Sequence, residues 1–449
     1  MGPLGTVLVV LGSWTTRTVP DGPMKGMTMA GNKEAVAAAF REEIKHAFEP
    51  GAQVTTADRE LRYCLELQRE RLVKRNLTVC DEMVHGGPFP NGLNNVRSWV
   101  DGHYETSWAV DFIDHKKTFQ RAGMRPYKYS QKQSIYEAIV DVRDGEDVSE
   151  DTYSCPNCGA IATIKEFQDG CKSCGTSFKM SDLFPKVSNY FFVWDVSGMA
   201  ANFKVKIFKN GLYLLPFSCA MMLWMLHFEN GVNLGEYFSK IGNIIGFLIG
   251  LAVVTPAVGF VSLFYEMIFK LIRQAVKDTP LLMATGTSRK KFEWQMSRIC
   301  PEYTFEHFTS KMVSLFKIVV FSDRDDELPF YKGRDLGNMF DDVVDVAARG
   351  VMSCRKVKTQ GNMVYVTGDI FAEVKRDLGT KLKRKDERYR ITAARRLDIP
   401  FATNFSITKI QCANCGGSFN AFKTRKCPYC DTEFVQENTD WIICEIKKM

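Results

Sequence analysis

The chain has 449 residues, 25% of them charged and 45% apolar, a globular mixture with room for two or three domains and not a disordered or fibrous composition. A formal net charge of +7 is compatible with anionic lipid or nucleic acid and demands neither. Of the 14 cysteines, eight form two CxxC…CxxC sets, and Cys64, Cys80, Cys219, Cys300, Cys354 and Cys444 are scattered, a pattern that argues against a secreted disulfide scaffold and for a reducing compartment.

Residues 5–12 are apolar with no basic residue before them, so the leader 1–32 is read as disordered and not as a secretory signal; Met24 and Met27 are alternative first residues. Residues 33–150 are read as mostly helical. Val36, Ala39, Phe40, Ile44, Ala47 and Phe48 recur at helical spacing, and Leu61, Leu65 and Leu72 follow a capping signal at Thr55-x-x-Asp58. Residues 85–95 are a Gly, Pro and Asn loop. Residues 96–150 mix aromatic and charged side chains without a clean period.

Cys155-Pro-Asn-Cys158 and Cys171-Lys-Ser-Cys174 open a zinc ribbon over 151–185. Each CxxC turn aims two thiolates at one point, and two turns complete a tetrahedral sulfur shell suited to zinc. An iron–sulfur cluster or a redox dithiol is the alternative. Cys412-Ala-Asn-Cys415 and Cys427-Pro-Tyr-Cys430 form a second such set, within 410–434. The two zinc ions would be structural, because a closed four-sulfur shell leaves no position for substrate. Neither ribbon carries a basic stripe with interleaved aromatics, so nucleic acid is not the expected partner.

Two apolar runs, 212–228 and 241–265, are expected to form a transmembrane helical hairpin over 210–268. Lys204, Lys206, Lys209, Lys270, Arg273 and Lys277 flank it, while the connecting loop is nearly free of basic residues. The positive-inside rule then places both termini in the cytoplasm of a multi-pass protein of the plasma (inner) membrane. Gly242, Gly246 and Gly250 repeat every fourth residue, a helix-packing face for the other span or for a second copy in a homo-oligomer.

Beyond the spans, 301–316 and 336–348 read as helices. Residues 351–357, 363–374, 383–397 and 441–447 read as strands. Helices followed by a meander describe an α+β fold. The helical segments from Phe305 and Leu336, the strand from Met363, Tyr389-Arg-Ile-Thr-Ala-Ala-Arg-Arg, the ribbon Cys412 to Cys430 and the closing Asp440-Trp-Ile-Ile-Cys-Glu-Ile together resemble bacterial Tim-44-like domain proteins with zinc ribbons. The resemblance covers about 295–449. It implies a cone-shaped α+β domain like nuclear transport factor two, with an inserted ribbon and an apolar pocket, binding a protein, peptide or lipid near the bilayer. No chaperone-recruiting segment accompanies it, so membrane-proximal binding carries over and protein import does not.

Catalytic residues are not expected. A pocket enzyme would use Asp369 on a strand and His307 on a helix if both faced one cavity; the plainer reading puts Asp369 on a solvent face. His103 and His115 are lone histidines and weak metal candidates. The basic run 375–396 is a solvated hairpin or a contact for anionic lipid.

Overall fold

A computed structural model describes residues 27–87, 97–158, 160–194, 203–299, 303–323, 328–349, 352–398, 409–412, 414–420, 426–433 and 440–449. It divides into two units, Met1–Trp194 with Met283–Met449, and Asp195–Leu282. Most of the expected leader lies outside the described residues.

The first half of the larger unit opens with helices α1 (Met27–His46) and α2 (Arg59–Lys74). Ala37, Phe40 and Ile44 bury one stripe of α1. Asp58 caps α2 by accepting the Leu61 amide at 2.7 Å, worth about 1 kcal/mol. Strands β1 (Thr78–His85), β2 (Trp99–Asp101), β3 (Tyr104–Gln120) and β4 (Tyr127–Val142) follow. The first ribbon holds β5 (Thr152–Ser154), β6 (Ile161–Thr163) and α3 (Ile164–Asp169), and α4 (Met180–Leu183) leads into β7 (Lys186–Trp194). The antiparallel sheet runs β1-β3-β4-β7, with β2 beside β3. Residues 33–150 are therefore not mostly helical. Strands β3 and β4 bury Ser107, His115, Lys117, Gln133, Ser134 and Glu137. Polar residues at inward positions erase the two-residue alternation by which strands are read.

The smaller unit contains α5 (Phe203–Tyr213), α6 (Leu215–Trp224), a π turn (Met225–Glu229), α7 (Leu234–Tyr237) and the first part of α8 (Ile241–Met296). Among the described residues one helix, Ile241–Glu266, is long and apolar enough to cross a membrane, with mean hydropathy 2.4 and only 6% of its most apolar window buried. A second span exists only if Ile207–Tyr213 and Leu215–Phe228, bent by 63°, count as one. The run expected over 212–228 is broken at Leu214 because Pro216, in the first turn of α6, has no amide to donate back. Close packing falls at Gly211 and Gly259 and, of the three glycines singled out, at Gly250 alone. A Cβ on Gly211 would lie 2.6 Å from the Thr255 carbonyl oxygen, and one on Gly259 would strike the backbone at Ile207 and Gly211. Gly250 faces Met222, and the space beside Gly242 and Gly246 is open.

In the second half, α9 (Phe305–Phe321) is capped by Thr304. Strands β8 (Val343–Ala348), β9 (Ser353–Gln360), β10 (Met363–Asp377) and β11 (Leu382–Arg396) precede a ribbon with β12 (Lys409–Gln411) and β13 (Ser418–Asn420); β14 (Ile442–Lys448) closes the sheet. The order is β8-β10-β11-β14, with β9 beside β10. The helix expected over 336–348 is instead turns and β8. Val343 belongs to one core and Val344 to the other, so this strand is apolar on both faces and loses its alternation.

The two halves share one plan: a helix, four antiparallel strands, a four-cysteine ribbon and a last strand that adds beside the fourth. The register matches in detail. Asp81 on β1 pairs with Lys117 on β3, and Asp345 on β8 pairs with Lys375 on β10. The halves also exchange contacts. Tyr63 and Cys64 of α2 enter the second core, and Val344 and Leu382 enter the first. Arg71 of α2 is buried and donates to the carbonyls of Val320 and Phe340, each at 2.7 Å.

Candidate metal centres and a shared polar cavity

The eight ribbon cysteines form two clusters in which the four sulfurs lie within 4.8 Å of one another. Neighbouring sulfurs are 3.6 Å apart in the first ribbon (Cys155–Cys174 and Cys158–Cys171) and 3.4 and 3.6 Å in the second (Cys412–Cys430 and Cys415–Cys427). A tetrahedral thiolate site with bonds of about 2.3 Å has edges of about 3.8 Å, so both clusters fit a metal ion. Backbone knuckles set this geometry. Gly175, Gly416 and Asp431, each next after the second cysteine of a pair, have positive φ of 72°, 67° and 55°. The amides of Gly175, Gly416 and Asp431 then donate to the carbonyls of Cys171, Cys412 and Cys427.

A matched threonine supports each site. Thr176 Oγ1 lies 3.3 Å from Cys174 Sγ and accepts from Asn157 Nδ2 at 3.0 Å. Thr432 Oγ1 lies 3.2 Å from Cys430 Sγ and accepts from Asn414 Nδ2 at 3.2 Å. The hydroxyl and amide of these threonines bring the Cys174 and Cys430 thiols down to about 6, favouring the thiolate a metal needs.

No other described group of three or more Cys, His, Asp or Glu residues converges as a metal site. His103 Nδ1 sits 2.9 Å from Asp151. His115 is buried with both ring nitrogens engaged, by Asp81 at 2.7 Å and Gln133 at 2.7 Å. Asp369 is fully enclosed beneath Arg355, Arg388 and Arg390, whose hydrogen bonds hold its carboxyl below the usual range. His307 lines a cavity whose walls do not include Asp369.

No family model, no curated protein and no solved structure matches this chain.

That cavity, about 80 Å³ in volume, lies wholly within the larger unit, and both halves line it. The first half supplies Asp58, Glu60, Trp99, Asp101 and Tyr104; the second supplies Tyr303, His307, Lys311, Arg395, Asp440 and Trp441. His307, Ser310, Lys311 and Ser314 come from one face of α9 at helical spacing. Trp99 stacks on His307 at 5.7 Å and 11°. Lys311 Nζ reaches Glu60 at 2.5 Å and Asp440 at 3.4 Å. Burial, then the Lys311 and Arg395 charges, bring His307 down to about 3, so it is neutral at physiological pH. Sequence reasoning found His307 and missed the cavity, because most of its other walls come from distant segments of the chain, residues 58–188 and 395–441.

Glu137 is a buried acid away from that cavity. It is 0% exposed, and its nearest cation, Arg41 Nε, is 3.6 Å away. Burial lifts its carboxyl to about 8. The folded state therefore holds this proton while an unfolded glutamate releases it near 4.3, so stability falls as pH rises from about 4 to 8. Glu137→Gln is expected to raise stability at pH 8 by about 1 kcal/mol or more and to be near neutral at pH 4. Urea melts of the full chain at both pH values check this.

Proposed function

We propose that this chain is a membrane-anchored, non-enzymatic binding or scaffold protein, with zinc as the metal in both ribbons. The observation that carries the anchor is the apolar helix Ile241–Glu266, whose side chains the rest of the chain leaves almost wholly uncovered. A soluble core helix of that composition would be buried. On this reading 207–228 is a second, bent span, the two form the hairpin, and both halves of the larger unit face the cytoplasm. Thiolate-only shells favour zinc over harder cations. The α+β halves with ribbons before their last strands support the resemblance to Tim-44-like cones, engaging a protein, peptide or lipid near the bilayer.

Binding is favoured over pocket catalysis because Asp369 and His307, the pair a pocket enzyme would need, do not share a cavity. The basic run divides instead of lying on one surface. Lys375, Arg376 and Arg395 are buried, while Lys383, Arg384 and Lys385 are exposed on β11 opposite one end of β10, and Arg355, Lys356 and Lys358 are exposed on β9 opposite its other end. Near an anionic leaflet each exposed base is worth about 1 kcal/mol.

The test is crosslinking in intact cells through a tagged chain, after membrane isolation. Retention on membranes in alkaline carbonate is expected, with a protein or anionic lipid captured by the native chain and lost when Lys383, Arg384 and Lys385 become Glu. Release by carbonate alone would overturn the anchor. Capture unchanged by the triple replacement would overturn the basic surface.

A further inference from the structure

We infer that Arg355, Arg388 and Arg390, on the outer face of the second sheet, form a binding site for a doubly charged phosphate monoester. The argument needs neither the membrane nor the ribbons, so it stands apart from the anchoring role and from the exposed run at Lys383.

The register of the sheet builds the cluster. Asp369 on β10 lies opposite Ser353 of β9 on one side and Arg390 of β11 on the other, and Phe371 lies opposite Arg388. Val364, Val366, Ile370 and Ala372 of β10 fill the second core, so Asp369 and Phe371 belong to the other face. Asp369 accepts from Arg355 Nε at 2.5 Å, Arg388 Nε at 2.8 Å and Arg390 Nε at 2.9 Å, and from Arg388 Nη2 as well. One guanidinium can satisfy a carboxylate through two parallel bonds. Three around one carboxylate leave a surplus of positive charge, and arginine does not shed its proton to relieve it.

The donors that Asp369 does not use remain accessible. Among the described residues no partner meets the two terminal nitrogens of Arg355, those of Arg390, or Arg388 Nη1. The three side chains are 45%, 29% and 31% exposed above a carboxylate that is 0% exposed. A second observation lies beneath them. Ser353, opposite Asp369 and buried, has a hydroxyl with no partner among the described residues, and a buried hydroxyl asks for an acceptor. The surroundings add positive charge. Lys356, opposite Thr367, is exposed, and the neighbouring Lys358 and then Lys291 bring its ammonium below the ordinary value. On β14, Glu445 is paired with Lys447 at 2.6 Å.

These features choose the ligand. Three arginines against one aspartate match a dianion, whereas a carboxylate or a phosphodiester carries a single charge. Planar guanidinium forks suit phosphate oxygens. Paired strands hold the arginines in place before the ligand arrives, which lowers the ordering cost of binding. A lipid headgroup and a soluble metabolite could both present this group.

The experiment is titration calorimetry on the full chain in phosphatidylcholine nanodiscs, with glycerol 3-phosphate as probe and diethyl phosphate and acetate as monoanionic controls. Saturable one-site binding of glycerol 3-phosphate is expected, with both controls roughly tenfold weaker or more. Arg355→Gln leaves Asp369 two arginines, and it and Arg390→Gln should each weaken binding roughly tenfold, the loss of a charge-assisted contact. Lys128→Gln removes an exposed base of β4 in the first half and should change affinity by less than about twofold. Two bound metal ions and an unchanged near-ultraviolet dichroism qualify a variant as folded; if Arg390→Gln fails, Arg355→Gln and the choice of monoester over diester carry the decision. Dihexanoyl phosphatidic acid, referenced to empty discs, separates the sources. Tighter binding than glycerol 3-phosphate assigns the site to a lipid headgroup, and equal or weaker binding to a soluble monoester; both support the dianion site. Absence of saturable glycerol 3-phosphate binding, equal affinity for diethyl phosphate, unchanged affinity in folded Arg355→Gln, or an equal loss in Lys128→Gln would each overturn the proposal. The last would mean that diffuse surface charge, and not the cluster, holds the anion.

Discussion

Replacing Cys171 by serine is expected to cut the bound metal from two ions per chain to one and to detach the first ribbon from its sheet. Cys155 and Cys171 are each 3% exposed and belong to one apolar cluster with Tyr104, Val140, Ile164, Phe167, Leu183 and Phe184. The cluster joins the ribbon to the end of the β3–β4 hairpin. A ribbon this small cannot hold its own fold by apolar burial, so the metal supplies the free energy, on the order of 10 kcal/mol for structural thiolate sites. With one ligand gone, three thiolates keep a much weaker site, and the apolar residues beneath become accessible. Elemental analysis of the purified chain gives the stoichiometry. Limited proteolysis should show new cleavage between residues 143 and 186, with the second ribbon unaffected. Metal content that stays at two would mean that the first cluster is not a metal site.

How much of this was legible in the sequence differs between the halves for a physical reason. The ribbons were fully legible, because a metal shell writes its ligands into the chain at fixed spacing. Strands β9, β10, β11 and β14 were legible within a few residues. In the first half α1 and α2 were legible and the strands were not. Its strands β3 and β4 carry His115, Lys117, Gln133 and Glu137 at buried positions, where the reading expects apolar side chains. Strand β8 failed in the opposite way, since Val343 and Val344 face different cores and give a continuous apolar run. One signal of the duplication was present. The first ribbon reads Cys155-Pro-Asn-Cys158-Gly159 and Cys171-x-x-Cys174-x-Thr176-x-Phe178. The second reads Cys412-Ala-Asn-Cys415-Gly416 and Cys427-x-x-Cys430-x-Thr432-x-Phe434. The shared Asn and Thr are the residues that buttress the sulfurs in both sites. In the first apolar run, Pro216 marked the break that apolarity alone concealed.

Asp345→Ala is expected to destabilise the larger unit by about 3–5 kcal/mol, the cost of breaking a buried ion-pair network and leaving Lys375 with only Glu373 at 3.8 Å. Asp345 is 5% exposed and holds two lysines at once, Lys117 at 2.8 Å and Lys375 at 2.5 Å, one from each half. Gln68 of α2 donates to the same carboxylate at 3.0 Å. The lysine charges outweigh burial and keep the Asp345 carboxyl well below the usual range. Its contribution is therefore complete above the unfolded value near 3.9 and is lost as pH falls below that value. Asp81, its counterpart in the first half, holds Lys117 at 2.6 Å but shares it with Asp345. Asp81→Ala should accordingly cost less, because Lys117 keeps a carboxylate. Urea melts of the full chain at pH 7 and pH 3 measure both variants, and the gap between wild type and Asp345→Ala should narrow at the lower pH. Replacing Lys375 by Met together with Asp345→Leu should recover most of the loss, since matched apolar groups need no counter-ion and Lys117 keeps Asp81. Equal costs for Asp81→Ala and Asp345→Ala would mean that the two halves are fastened symmetrically, against a geometry in which one carboxylate from the second half binds a lysine from each.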